Sequence, residues 1–112
     1  MNIGRNPHGT RVIQKIIERL NDNNDLRASF NKVFFSHIIN LCKDTNGNHI
    51  IIKYVIFISY PNNNFLYEVI NNSIHDIASD KHGCCVLQKC IENAVDLQRV
   101  YLLFTILDID NI

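Results

Sequence analysis

One short helix-opening module occurs three times in this chain at nearly constant spacing, and no other feature restricts its fold as much. The first copy runs His8-Gly9-Thr10-Arg11-Val12-Ile13-Gln14-Lys15-Ile16-Ile17-Glu18, and the second Asn46-Gly47-Asn48-His49-Ile50-Ile51-Ile52-Lys53-Tyr54-Val55-Ile56. The third runs His82-Gly83-Cys84-Cys85-Val86-Leu87-Gln88-Lys89-Cys90-Ile91-Glu92. Gly9, Gly47 and Gly83 stand 38 and 36 residues apart. Three places before each glycine is a residue suited to capping a helix: Asn6, Asp44 and Asp80. Pro7 suits a first helical position. Behind the first glycine, Val12, Ile13, Ile16, Ile17 and Leu20 recur at helical spacing, so the many β-branched residues here belong to a helix rather than a strand.

The segments between copies read as helical too. Phe34, Phe35, Ile38, Ile39 and Cys42 form one apolar stripe, and Phe65, Leu66, Val69, Ile70, Ile74 and Ile77 form another. Each period then holds one helix, a short turn and the module helix. A helix pair repeated in this way predicts an all-α solenoid, whose units bury their apolar faces against their neighbours. The asparagine clusters at 21–25 and 62–64 read as polar connectors without a binding role.

Composition removes several functions. At 112 residues the chain has room for one modest core, and a formal net charge of zero gives no global pull toward nucleic acid or anionic lipid, although a locally basic face is compatible with it. No apolar run approaches the ~18 residues of a membrane span. Cys42, Cys84, Cys85 and Cys90 follow no signal-like N-terminus, and two of them are adjacent, which suits neither a disulfide framework nor paired zinc ligands. A reduced, cytoplasmic protein without cofactor or metal is the expectation. His75 and His82 lie near the cysteines in sequence, but no CxxC pair is present, and Cys90 falls on the apolar side of its helix. No nucleophile, paired-carboxylate or phosphate-loop arrangement is favoured by spacing, so no enzyme and no small-molecule substrate are expected. His8 and His82 read as turn or capping residues.

The variable residues carry the chemistry. Each glycine is followed by a five-residue window: Thr10 to Gln14, Asn48 to Ile52, Cys84 to Gln88. The first and fifth members share a helical face one turn apart, the second flanks it, and the apolar third and fourth are expected to point into the core. A short polar side chain, a flat or long one and an amide therefore gather on one patch per repeat. Two such groups can hydrogen-bond a base edge while a neighbouring Arg or His stacks on the ring. A polar face that merely meets water is the plain alternative. Three sets in register behind a shared glycine favour the functional reading.

These windows resemble the RNA-reading helices of Pumilio-type (PUF) repeats over nearly the whole chain. The resemblance implies a right-handed α-solenoid of three-helix repeats whose concave face binds single-stranded mRNA, one base per repeat, chains antiparallel. It implies 3′-UTR binding, post-transcriptional regulation such as translation repression, and mRNA-decay or translation-repression proteins as partners, with no membrane. It divides residues 1–112 into the end of one repeat (about 1–25), two full repeats (26–60 and 61–96) and the start of another (97–112). The expectation is of central repeats from a longer crescent, with partners lacking at both ends. Carried over residue by residue, Thr10 and Gln14 resemble an adenine-reading pair with Arg11 stacking, and Cys84 and Gln88 another with Cys85 in the stacking place. Asn48 resembles half of a uracil-reading pair with His49 stacking. Ile52 replaces the expected amide, and Cys85 is too small to sandwich bases. The implied preference is 5′-A-N-A-3′ within a UGUA-type element, the middle base leaning to U.

Two other readings keep a solenoid. A protein-binding one of HEAT or armadillo type predicts apolar or mixed concave residues, unlike the polar windows. A PUF-like binder of structured RNA without sequence choice predicts a more basic groove. Lys15, Lys53 and Lys89 recur in register, but snorkelling or pairing with Glu18 and Glu92 accounts for them.

Overall fold

The structure, a computed structural model, describes residues 7–110. These form only helices and connecting turns: α1 (Pro7–Ile17), α2 (Asn24–Phe34), α3 (Ile38–Cys42), α4 (Asn48–Phe57), α5 (Asn64–Asn72), α6 (Ile74–Ala78), α7 (Lys81–Asn93) and α8 (Asp96–Asp110). Short 3-10 turns at Leu20–Asp22 and Phe35–His37 lead into α2 and α3.

The repeating unit has three helices instead of the pair that the apolar stripes suggest. A first helix (α2, α5) gives way to a short one (α3, α6) before the module helix (α4, α7) begins. The break after α5 falls at Ser73, behind Asn71 and Asn72, residues whose side chains compete with the helix for backbone groups. Ile70 and Ile74 are both buried on either side of it, so the apolar stripe runs through the break and hides it from a periodicity argument. The 3-10 turn at Phe35–His37 sits likewise between buried Phe34 and buried Ile38.

Local chemistry starts the helices. Asn23 Oδ1 accepts the Leu26 N–H at 2.9 Å and caps α2. Pro7 is the first residue of α1, where a missing N–H costs nothing; Asn6 lies outside the described residues. The connector asparagines do more than meet water. Asn63 is buried, donates to the Ile58 carbonyl at 3.0 Å, and accepts from Gln98 Nε2 at 3.1 Å.

The module helices lie side by side, α1 against α4 and α4 against α7. One apolar core runs behind them from Ile13 to Leu102. Its aromatic centre is Phe34 stacked on Tyr54 at 5.1 Å between ring centroids, with Phe65 edge-on to Tyr54 at 5.8 Å. Fully burying an aliphatic or aromatic side chain of this kind stabilises the fold by about 1.5–3 kcal/mol relative to exposure. The two phenols that enter the core are satisfied: Tyr54 donates to Asn31 Oδ1 at 2.9 Å and Tyr67 to the Cys90 carbonyl at 2.7 Å. Cys42 and Cys90 are buried and Cys84 and Cys85 exposed, all four as free thiols. Burial pushes the Cys90 thiol up to about 12, which makes it a small hydrophobe.

Candidate nucleic-acid interface

The second and third modules each open on a carboxylate that gathers the amides of the helix start, in the turn before α4 and in the first turn of α7. Asp44 Oδ2 accepts from Asn46 at 2.9 Å and Gly47 at 2.7 Å. Asp80 Oδ2 accepts from His82 and Gly83, each at 2.9 Å. The Gly83 amide foremost, with that of His82, holds the Asp80 carboxyl below its usual range. Neither Gly47 nor Gly83 has a positive φ, so close contact and not backbone conformation favours the glycine that follows, most strictly at Gly83. A Cβ on Gly83 would stand 2.2 Å from the Ile77 carbonyl oxygen, and one on Gly47 would stand 2.7 Å from Leu41 Cδ2 and 3.1 Å from Leu41 Cα. The module helix therefore starts in direct contact with the short helix before it. That contact sets how the window behind the glycine is presented.

The second members of the windows, Arg11, His49 and Cys85, are all exposed on the three adjacent module helices. The first members differ. Thr10 and Asn48 are buried, at 4% and 5% exposure, while Cys84 is exposed. Asn48 Nδ2 donates to the Asp44 and Thr45 carbonyls, both at 2.8 Å, so the side chain's remaining polar group is the acceptor Oδ1. Gln14 is half-buried, and Gln88 is exposed with Nε2 3.4 Å from Glu92 Oε1. Ile52 is half-buried and packs on the core, so the middle window keeps one acceptor and no amide at its fifth place. The expected gathering of polar residues on one exposed patch per repeat is corrected at Thr10 and Asn48, whose side chains are buried.

The third and fourth members enter the core at Ile13, Ile50, Ile51, Val86 and Leu87. Val12 does not: it is 49% exposed. Ile50 and Val86 lie at the starts of helices that α3 and α6 cover, and no described helix plays that part for α1.

Polar ties between neighbouring repeats fix the row. Lys53 Nζ lies 2.9 Å from Glu18 Oε1, joining α4 to the end of α1, and 4.4 Å from the centroid of Phe57. Its ammonium holds the Glu18 carboxyl below the usual carboxylate range. Glu18 thus pairs across helices with Lys53, whereas Glu92 pairs with Lys89 at 3.3 Å within one helix. Lys43 reaches Asp76 at 2.8 Å, and Thr45 Oγ1 lies 3.4 Å from His82 Nε2. Among the described residues no three His, Cys, Asp or Glu side chains are grouped to hold a metal ion, and no helix is long and apolar enough to cross a membrane.

The arrangement is a shallow row of three stations, each offering one exposed second residue flanked by groups one turn apart. Such a row matches bases presented singly along an unpaired strand. The pinned amide of Asn48 has no signal in the sequence, because the carbonyls that hold it belong to the backbone.

A profile of the Pumilio-family RNA binding repeat matches residues 2–24, 37–53 and 73–107, and each matched stretch contains one window. The chain is 39% identical over 94 residues to Pumilio homolog 9 of Arabidopsis thaliana, covering 84% of this chain and 16% of that protein. Among solved structures, the Puf4 RNA binding domain bound to an HO endonuclease RNA 3′ UTR recognition sequence superposes with a TM-score of 0.89 at 36% identity, covering 96% of this chain and 33% of that one. A Puf4 mutant bound to a Cox17 RNA 3′ UTR recognition sequence superposes with a TM-score of 0.90 at 33% identity, covering 98% of this chain and 34% of that one. The chain therefore spans about a third of the solved domains and less than a fifth of the curated relatives' length.

Proposed function

The chain belongs to the Pumilio family of RNA-binding repeats, and from that premise we propose that its row of three windows reads single-stranded RNA of mRNA 3′ untranslated regions, one base per repeat. The observation that carries this reading is the placement of Arg11, His49 and Cys85, exposed in register on three helices packed side by side. The RNA held by the similar Puf4 domains supports it. Thr10 with Gln14 and Cys84 with Gln88 take adenine, with Arg11 and Cys85 in the stacking places. Asn48 takes the middle base, offering Oδ1 to the N3–H of uracil, with His49 stacking and Ile52 contributing only van der Waals contact. With the strands antiparallel the preferred triplet is 5′-A-N-A-3′, its middle base leaning to U.

The chain in this reading binds and does not catalyse. Its setting is cytoplasmic mRNA, and its consequence is post-transcriptional repression through proteins recruited to the message. In vitro selection of RNA on the chain is the test. Adenines are expected on both sides of one variable position, and Gln88→Ala is expected to relax the 5′ adenine alone. Selected pools without paired adenines would refute the base assignment.

A further inference from the structure

The last helix, α8 (Asp96–Asp110), is a third copy of the first helix of the repeat. Its core-facing residues fall in line with those of α2 and α5 and of the short helices that follow them: Phe30, Leu66 and Gln98; Phe34, Ile70 and Leu102; Ile38, Ile74 and Ile106. The outward positions follow from the same alignment. Where α2 and α5 carry exposed Lys32 and Glu68, α8 carries Val100, 48% exposed. Where the turn after α2 carries exposed Ser36 and α5 ends in exposed Asn72, α8 carries Phe104, 63% exposed. Leu107, also exposed, stands where half-buried Ile39 and exposed His75 stand earlier. Lys32, Ser36, Glu68, Asn72 and His75 stay in solvent although the chain continues into packed helices after each of them. A repeat following α8 in the same manner would therefore leave Val100 and Phe104 in water. Large apolar side chains at positions that the fold itself leaves outside mark a contact surface.

Their spacing says what kind of element fits. Leu97, Val100, Phe104 and Leu107 recur at intervals of three, four and three residues, the seam of two helices packed along their length, with Tyr101 and Leu103 on its flanks. That pattern reads the same in both directions about Leu102. A second α8 laid antiparallel sets Leu97 of one copy on Leu107 of the other and Val100 on Phe104, leucine against leucine at the ends and a large residue against a smaller one nearer the centre. The pairing is isologous and closed by a two-fold axis. Six large apolar side chains from each copy make an interface on the order of 1,200 Å², where specific stable contacts begin. We propose that the chain forms an antiparallel dimer through α8, its seam Leu97, Val100, Phe104 and Leu107. The inference is independent of RNA reading, since the windows lie on α1, α4 and α7.

Sedimentation of the 112-residue chain from micromolar to millimolar concentration tests it, together with Val100→Glu and Phe104→Lys. Both sites are exposed, so helix content by circular dichroism stays that of the parent. The parent is expected to pass from monomer to dimer within the range, and each variant to need at least tenfold higher concentration. An equimolar mixture of the two is expected to recover the dimer. In a mixed pair the introduced carboxylate faces the introduced ammonium, and the other contact remains Val100 on Phe104. A parent that stays monomeric throughout overturns the proposal, as do variants that dimerise like the parent or a mixture that stays monomeric.

Discussion

Ile52 is where the reading face departs most from its neighbours. The first and third windows end in Gln14 and Gln88, while the second ends in a side chain that packs on the core. Asn48 cannot make up for the missing amide, because both protons of its Nδ2 are given to the Asp44 and Thr45 carbonyls. In the proposed reading it could accept from the middle base and could not donate to it. Ile52→Gln would restore a donor one turn after Asn48. One added hydrogen bond nets about 0.5–1.5 kcal/mol, so the preference for uracil at the middle position should rise by up to about tenfold. Exchanging a half-buried apolar side chain for an amide should cost about 1 kcal/mol of stability. Competition binding with RNAs differing only at that base, and urea unfolding of the variant, measure the two effects. An unchanged base preference in a folded variant would show that the middle window does not contact the base edge.

The start of α7 is the element most directly exposed to pH. Asp80 binds the first amides of the helix as a carboxylate, and those hydrogen bonds hold its folded pKa below the ordinary aspartate range. A depressed folded pKa means stabilisation that is complete above the unfolded pKa and is lost as pH falls through the folded one. Asp80→Ala should therefore be less stable than the parent at neutral pH, and the gap between their urea midpoints should narrow below about pH 4. A gap independent of pH would mean that the carboxylate is not what holds the helix start. This cap was legible in the sequence, as were Asp44, the glycines and the buried Ile50, Ile51, Val86 and Leu87, because capping chemistry and the 3.6-residue period are local. The division of each first helix was not: Ile70 and Ile74 keep one apolar face through the break at Ser73, so the pattern looks continuous. Val12 was misread for a related reason. Its apolarity is that of a buried position, but whether a helix lies over it depends on a neighbouring repeat, and none of the described helices does. The outward face of α8 was equally hidden, since apolar residues all round a helix do not reveal which of them the fold leaves in water.

At the scale of the molecule, charge decides how this row of windows would hold RNA in the proposed reading. Formal net charge is zero, and much of the basic complement is already engaged. Lys43 pairs with Asp76, Lys53 with Glu18, Lys89 with Glu92 and Arg99 with Asp96, while Arg27 donates to the Leu20 and Asn21 carbonyls. Arg11 is the one guanidinium that the windows themselves present. Binding by this chain must then rest on stacking and hydrogen bonds. Stacking contributes about 1–3 kcal/mol per base, hence roughly 2–6 for the two bases that Arg11 and His49 can stack, against an association cost of ~4–15 kcal/mol. The 112-residue chain should bind an A-U-A-containing strand with micromolar or weaker affinity, so submicromolar binding would refute this balance. The salt dependence separates the two sources of affinity. On a single strand each neutralised phosphate contributes about −0.7 to the slope of log K against log salt, and one or two contacts give a slope no steeper than about −1.5. Fluorescence anisotropy over a range of potassium chloride measures it. A slope of about −3 or steeper would place the dominant contacts on phosphates outside the windows, and would favour a binder of RNA backbone over a reader of bases.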